Sequence, residues 1–372
     1  MVAARIARVQ ANLLDARLDG LVVTRPANIA YLTGLTASAA ISIVLRTPPR
    51  CVLIVDSRYG TMARTLERDL PWLSVTVATG SLDIAAAAQL RGLRACHVGV
   101  EADHLSLSRF NRLAAALTPA EAVPASGSGG VTLLKPTTRL IERLRAVKDA
   151  GEIATLREAG RRLSAVARRA RTWIQPGRTE RQIAAAVDAA MRDAGFDRPA
   201  FETIAASGPN AALPHARPSG RVVGQNEGVL LDFGGVYDGY CVDLTRTVHI
   251  GPMPDGFRRM FEAVREAQAA AIAAVRPGAL AVDVDSAARH VMVQHGLGEA
   301  FGHGTGHGLG LEVHEEPRIS PLAQADEALQ AGMVVTIEPG AYVPGTGGVR
   351  LEDDVLVTEG GCELLTDVPI EL

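Results

Sequence analysis

The stretch that decides the fold runs from Val229 to Val248 and reads VLLDFGGVYDGYCVDLTRTV. Asp238–Gly239 is a strong signal for a two-residue hairpin turn, because a type I′ turn needs positive φ at both central positions. With the turn there, Tyr237 pairs with Tyr240, and position 232 pairs with position 245. Asp243 is then the diagonal neighbour of Asp232 on the same face, with Cα atoms roughly 7–8 Å apart. Asp232 follows the apolar run VLL, so that face is expected to be buried. A buried carboxylate needs a cation or hydrogen bonds. A bulge at Gly234–Gly235 would shift the register.

Two more acids lie in apolar surroundings. MVVTIEPGAYV carries Glu338 after a continuous apolar strand, and GVRLEDDVLVTEG carries Glu352 in an alternating one. Arg350 lies two residues before Glu352 and so on the same strand face. An Arg–Glu pair accounts for Glu352 alone, not for four carboxylates embedded in or beside hydrophobic strands. Upstream, residues 301–317 read FGHGTGHGLGLEVHEEP, with His303, His307 and His314 among glycines. The alternating glycines disfavour a helix. In an extended backbone His303 and His307 would share a face, and glycine lets chain and substrate approach closely.

Asp232, Asp243, Glu338, Glu352 and His307 together form an oxygen-rich donor set with one imidazole and no thiolate. Mn²⁺, Fe²⁺, Co²⁺ or Zn²⁺ suits such a set. Four carboxylates balance two divalent cations, and a metal pair can activate water while polarising a carbonyl. That is hydrolase chemistry. His97, His104, His249, His290 and His295 are isolated and read as structural or surface residues. His215, in the loop GPNAALPHARPSG, reads by itself as an exposed loop histidine.

The totals narrow the field. A chain of 372 residues suggests roughly two domains. A net charge of −3 gives no general attraction to nucleic acid or an anionic membrane. No signal peptide or membrane-spanning run is visible, and the four cysteines lie far apart without a CxxC pair. A cytoplasmic protein without disulfides is expected. Lysine occurs only as Lys135 and Lys148, and there is no GxxxxGK[ST] phosphate loop.

Residues 1–127 alternate helix-like and strand-like segments, as in an α/β layer domain. GLVVT, AISIVLR, CVLIVD, WLSVTVAT and HVGVEADHLS are its strand candidates, with a turn at Pro48–Pro49. PASGSGG, 124–130, is the linker candidate. From 128 to 372 an α+β domain is expected. TRLIERLRAVKDAGEIATLREAGRRLSAVARRARTWI reads as one or two long helices, and the next helix starts at Thr179 as its N-cap. Residues 257–275 and 283–296 are also helical in pattern.

Taken in order, LRAVKDAGEI, LPHARPS, LLDFGG, VDLTRT, GHGTGHGLGLEVHEEP, TIEPG and RLEDDVLVT resemble the metallopeptidase family of prolidase, aminopeptidase P and methionine aminopeptidase. RPANIAYLTG resembles the creatinase-like α/β domain that precedes the catalytic domain in prolidase and aminopeptidase P. The resemblance implies a creatinase-like domain over 1–127 and a pita-bread catalytic domain over 128–372. It implies two divalent metals, Mn²⁺ first with Co²⁺, Zn²⁺ or Fe²⁺ as alternatives. Their ligands would be Asp232, Asp243, His307, Glu338 and the bridging Glu352, and metal-held hydroxide would hydrolyse an Xaa–Pro bond. His215 and His314 would stabilise the tetrahedral intermediate and assist proton transfer, with Glu338 as proton shuttle. His303 and Arg350 would shape the proline-side pocket or hold the substrate carboxylate and the metal ligands. The substrates implied are Xaa–Pro dipeptides, as for a prolidase in a homodimer. The alternative is aminopeptidase P acting on longer peptides. A non-catalytic pita-bread binding protein is more remote, since the five ligands match without a gap.

Overall fold

The computed structural model describes residues 2–47, 50–118, 132–324 and 327–370. The chain divides into two compact units, Met1–Arg145 and Ala146–Leu372. The linker candidate 124–130 and the Pro48–Pro49 turn lie outside the described residues.

In the first unit the strands are β1 (Gly20–Val23), β2 (Ala40–Leu45), β3 (Cys51–Val55), β4 (Leu73–Val77), β5 (His97–Glu101) and β6 (Leu133–Thr137). They form one sheet in the order β4-β3-β2-β1-β5-β6, antiparallel at β1–β2 and β2–β3 and parallel elsewhere. AISIVL and CVLIV are buried at every position, as central strands covered on both faces should be. The helices are α1 (Val2–Asp15), α2 (Pro26–Thr33), α3 (Gly60–Asp69), α4 (Leu82–Gly92) and α5 (Leu107–Leu117). Residues of RPANIAYLTG form α2, and the buried Glu101 carboxylate holds the chain just before it, accepting from the amides of Thr24 at 2.6 Å and Arg25 at 2.8 Å. Helix α4 escapes a periodicity reading because its buried face is built on Ala86 and Ala87.

The boundary expected at 127/128 falls later, after Arg145. Strand β6 hydrogen-bonds in parallel beside β5, so residues 133–137 belong to the first sheet. Of the one or two long helices expected from residue 138, the structure forms two, a short α6 (Glu142–Ala146) and a long α7 (Ala150–Ala167). Val147 bridges to Met333 instead of continuing the helix, and Asp149 starts α7 with a capping box to Glu152. Thr179 caps α8 (Glu180–Asp193), as its sequence predicts.

The second unit carries two helix–sheet cores. Helices α7 and α8 pack their apolar faces on β9 (Gly228–Tyr237) and β10 (Tyr240–His249), with β7 (Arg198–Pro199) and β8 (Ile204–Ser207) also paired to β9. Helices α9 (Asp255–Ala274) and α10 (Ala281–Gln294) cover the other core, whose strands include β13 (Val334–Ile337), β14 (Gly340–Val343), β15 (Gly347–Arg350) and β16 (Asp353–Thr358). Strand β13 lies between β16 and β11 (Gly306–Gly308). The sheet is completed by β12 (Glu315–Ile319) beside β11 and β17 (Gly361–Leu364) beside β16, while β14 and β15 form a separate hairpin.

The hairpin β9–β10 has the register its turn predicts. Tyr237 faces Tyr240, Asp232 faces Thr245, and pairing runs unbroken through Gly234 and Gly235. Asp238 and Gly239 have φ of 48° and 81°, so both central positions are left-handed. Strand β11 is held tightly between neighbours. A Cβ on Gly306 would overlap the Thr336 carbonyl, and one on Gly308 would overlap the Glu316 carbonyl. Gly306→Ala is therefore expected to cost about 1–3 kcal/mol, the usual range for overpacking. Denaturant unfolding of the purified variant checks this, and unchanged stability would contradict the packing described.

Candidate metal centre

The hairpin places Asp232 and Asp243 on one face, diagonal to each other across β9 and β10. Asp243 is 5% exposed and Asp232 8%. The other two acids sit at strand ends. Glu338 follows β13, as its sequence predicts, whereas Glu352 lies in the two-residue link between β15 and β16 and not inside a strand as its alternating pattern suggests. Asp243, His307 and Glu352 offer ligand atoms that all lie within 4.8 Å of one another. Glu338 Oε1 is 3.4 Å from His307 Nε2.

His307 is oriented for ligation. Its Nδ1 faces the Gly308 carbonyl at 3.0 Å, an acceptor, so Nδ1 carries the proton and the Nε2 lone pair is left for a cation. Its backbone amide donates to Thr336 Oγ1 at 3.1 Å, while the same threonine hydroxyl lies 3.4 Å from Glu338.

The carboxylates are held from behind. Arg350 donates through Nη2 to Asp232, through Nε to Thr245 Oγ1 at 3.1 Å, and through Nη1 to Tyr342 Oη at 2.7 Å and Pro214 O at 3.2 Å. Thr245 in turn donates to Glu352 Oε2 at 2.6 Å. The amide of Asp243 donates to Asp354 at 3.0 Å. Fully buried Arg246 donates to the Glu352 carbonyl at 2.6 Å and to Asp353 at 2.8 Å. Arg350 thus acts on Asp232 directly and on Glu352 through Thr245.

Charge and hydrogen bonding both bear on whether this set fits a metal. Burial, then repulsion from Glu352 and Asp232, pushes the Asp243 carboxyl well above the usual range. Glu352 is raised by burial and by Glu338 and Asp232, and Glu338 rises to about 7, mainly from burial. Asp232 Oδ1, Asp243 Oδ1 and Glu352 Oε1 are buried without a hydrogen-bond partner. Orphaned oxygens on crowded, buried carboxylates are what divalent cations satisfy. The residues therefore fit a metal site of hard to borderline character.

The remaining histidines separate. Only Gly306–Gly308 is strand, so the alternation that would align His303 with His307 does not extend to His303. His303 presents Nδ1 to its neighbour Gly304 O at 2.7 Å, and Tyr342 Oη lies 2.9 Å from its Nε2. Burial lowers its pKa to about 4. His314 stacks edge-on against His307 at 4.4 Å, and burial lowers its pKa to about 4 as well. His215 is exposed and lies close enough to His303, His314 and Glu338 to interact with them electrostatically. Cys241 is a buried thiol pushed up to about 12 by burial, which suits a core filler.

Thr245, Tyr342 and Asp354 hold the site together and were not singled out from the sequence. Thr245 was within reach, since the hairpin register sets it opposite Asp232. Tyr342 and Asp354 carried no local signal, because their partners Arg350, His303 and Asp243 come from other elements.

Asp243→Ala is expected to abolish metal retention while the chain stays folded, read by elemental analysis and circular dichroism. Normal metal content would refute its assignment. Thr245→Val, which removes the hydroxyl behind Glu352, is expected to weaken metal affinity by about 10- to 100-fold.

The same architecture occurs in known proteins. Residues 154–359 match the model of metallopeptidase family M24, and residues 5–147 match the creatinase/prolidase N-terminal domain. The chain is 37% identical to a probable dipeptidase PepE of Mycobacterium bovis, over 100% of this chain and 96% of that protein. It superposes on an Xaa-Pro dipeptidase from Bacillus anthracis with TM-score 0.91 at 32% identity, covering 100% and 99% of the two chains. It also resembles an X-Pro aminopeptidase from Thermotoga maritima, with TM-score 0.82 at 33% identity over 95% and 97%. With its creatinase-like first domain and its carboxylate–histidine cluster on a pita-bread second domain, the chain belongs to metallopeptidase family M24.

Proposed function

We propose that the protein is an Xaa–Pro dipeptidase that uses two divalent metal ions. The observation that carries this is the convergence of Asp243, His307 and Glu352 ligand atoms within 4.8 Å, with Glu338 beside His307. Whole-chain similarity to dipeptidases supports the substrate class. In this reading Asp232, Asp243, His307, Glu338 and Glu352 hold the metals. When bound, such a pair supplies Lewis acidity and lowers the pKa of water.

The chain's own groups do the rest. His215 and His314 face the reacting carbonyl, where an imidazole N–H stabilises developing negative charge. Glu338 carries the proton toward the proline nitrogen. His303, fixed by Tyr342, forms part of the prolyl pocket wall. Arg350 keeps Asp232 and Glu352 aimed, and it contributes to substrate binding through the Pro214 loop it holds. The preferred ion is Mn²⁺, suited to four carboxylates and one imidazole. A homodimer is the expected assembly by family resemblance. The cytoplasm is the expected compartment: the four cysteines are free thiols. Among the described residues no helix is long and apolar enough to cross a membrane.

A second reading, aminopeptidase P activity on longer peptides, is favoured by the similarity to the Thermotoga X-Pro aminopeptidase. Hydrolysis of an Xaa–Pro dipeptide beside the matching Xaa–Pro–Yaa tripeptide separates the two. The dipeptide is expected to be cleaved and the tripeptide poorly, and comparable efficiency on both would overturn the dipeptidase assignment. His215→Ala is expected to leave metal content unchanged and lower kcat by about 10²- to 10³-fold, the cost of losing one oxyanion donor. An unchanged kcat would remove His215 from the reaction.

A further inference from the structure

Glu180, the first residue of α8, is fully buried far from any role the metal cluster requires of it. Its carboxylate is a hub. Oε1 accepts from the amide of Ser207 at 2.7 Å, from Ser207 Oγ at 2.9 Å and from Asn210 Nδ2 at 3.0 Å. Oε2 accepts from the amide of Ser219 at 3.0 Å and from Ser219 Oγ at 2.6 Å. Ser207 ends β8, and Ser219 lies twelve residues on, past His215. One side chain therefore clamps both ends of the segment that carries His215.

The clamp has a second tier. Arg221 Nη1 donates to Ser207 Oγ at 2.6 Å, and its guanidinium pairs with Glu227 at 2.6 Å. The amides of Glu180 and Arg181 donate back to the carbonyls of Arg221 and Ser219 at 3.1 and 3.2 Å. Near the middle of the segment, the Pro214 carbonyl accepts from Arg350. So the segment is fixed at its ends by Glu180 and beside His215 by the arginine that also holds Asp232.

The groups hydrogen-bonded to the Glu180 carboxylate are all donors, while the Glu227 carboxylate of the second tier repels it. Burial opposes its charge, but the bonds from Ser219 and Ser207 outweigh it and lower its pKa. A glutamine of the same shape would turn an N–H₂ toward those donors and lose half of the clamp.

We infer that Glu180 is a positioning residue for the peptidase reaction: its carboxylate, by holding Ser207, Asn210 and Ser219, fixes where His215 stands over the metal cluster. This rests on the role proposed for His215. A displacement of about 1 Å in such a group is enough to cost on the order of 10²-fold in rate.

The test is a double-mutant cycle of Glu180→Gln and His215→Ala in the metal-loaded enzyme, with kcat and KM on an Xaa–Pro dipeptide, metal content, and amide hydrogen exchange over 207–221. Glu180→Gln is expected to lower kcat by about 10- to 100-fold, with KM changed by less than about threefold. Metal content should hold and exchange over 207–221 should rise. In the His215→Ala background the same change should cost less than about twofold more, because two groups acting as one unit are non-additive. Equal losses in both backgrounds, or unchanged exchange, would overturn the inference. If His215→Ala alone leaves kcat intact, the reading of His215 falls and this inference with it. Should Glu180→Gln fail to fold, Asn210→Ala with Ser219→Ala removes two donors and leaves the carboxylate. The same non-additivity is expected there, and full activity of that variant would refute the clamp.

Discussion

Four carboxylates and one guanidinium share a small buried volume. In a low-dielectric interior, each carboxylate raises the free energy of ionising the next. Asp243 shows this most fully: burial raises its pKa, and Glu352, Asp232, Asp354 and Glu338 all add to the shift. Arg350 offsets only part of that charge. The cluster is stable as an ionised set only with cations among its oxygens, and three orphaned carboxylate oxygens mark where such ions would be held. The rest of the second unit can be understood as the framework that keeps these groups together against their repulsion.

That framework is backbone first. The hairpin β9–β10 places its two aspartates with regular cross-strand pairing. Arg246 and Asp354 then pin the peptide groups at Glu352 and Asp243 rather than their side-chain oxygens. This division leaves carboxylate oxygens available for ligation. Strand β11 shows the complementary device. Glycines on both sides of His307 let the carbonyls of Thr336 and Glu316 come against its backbone, which sets the ring beside Glu338. Loss of conformational freedom in the backbone is the cost, and a narrowly placed imidazole is the return.

The two helix–sheet cores explain why the donors come from such distant points in the chain. Residues 232 and 243 belong to the strands under α7 and α8, while the strands leading to 338 and 352 lie under α9 and α10. The segment with His215 belongs to neither of these cores: Ala211 and Ala216 pack it into a small apolar cluster with Leu230 and Tyr342, and the polar anchors Glu180 and Arg350 hold it besides. Apolar burial supplies most of the folding free energy, but it is non-directional. Directional hydrogen bonds to charged groups are what set a loop histidine to within an ångström.

Much of this was legible along the chain. The Asp-Gly turn fixed a register, period-2 alternation then put Asp232 and Asp243 on one face, and acids next to apolar runs at 338 and 352 announced themselves as anomalies of burial. These are local signals, set by backbone sterics and the period of a strand. Other features were not local. The sequence run from 138 allowed one helix or two, and the bridge from Val147 to Met333 decides for two. Strand β6 joined the first sheet although it follows the linker candidate. His307 meets Glu338 and His303 meets the Tyr342–Arg350 relay through residues more than thirty positions away, while His314 packs on the ring of His307 itself. The Glu180 hub was equally invisible, since its partners Ser207 and Ser219 lie 27 and 39 residues away. Sequence alone determines which residues must be buried, turned or charged, because those are properties of each side chain and its near neighbours. Only the tertiary structure decides which charges meet, because that depends on long-range pairing in a dry interior, where one partner changes what every other group costs.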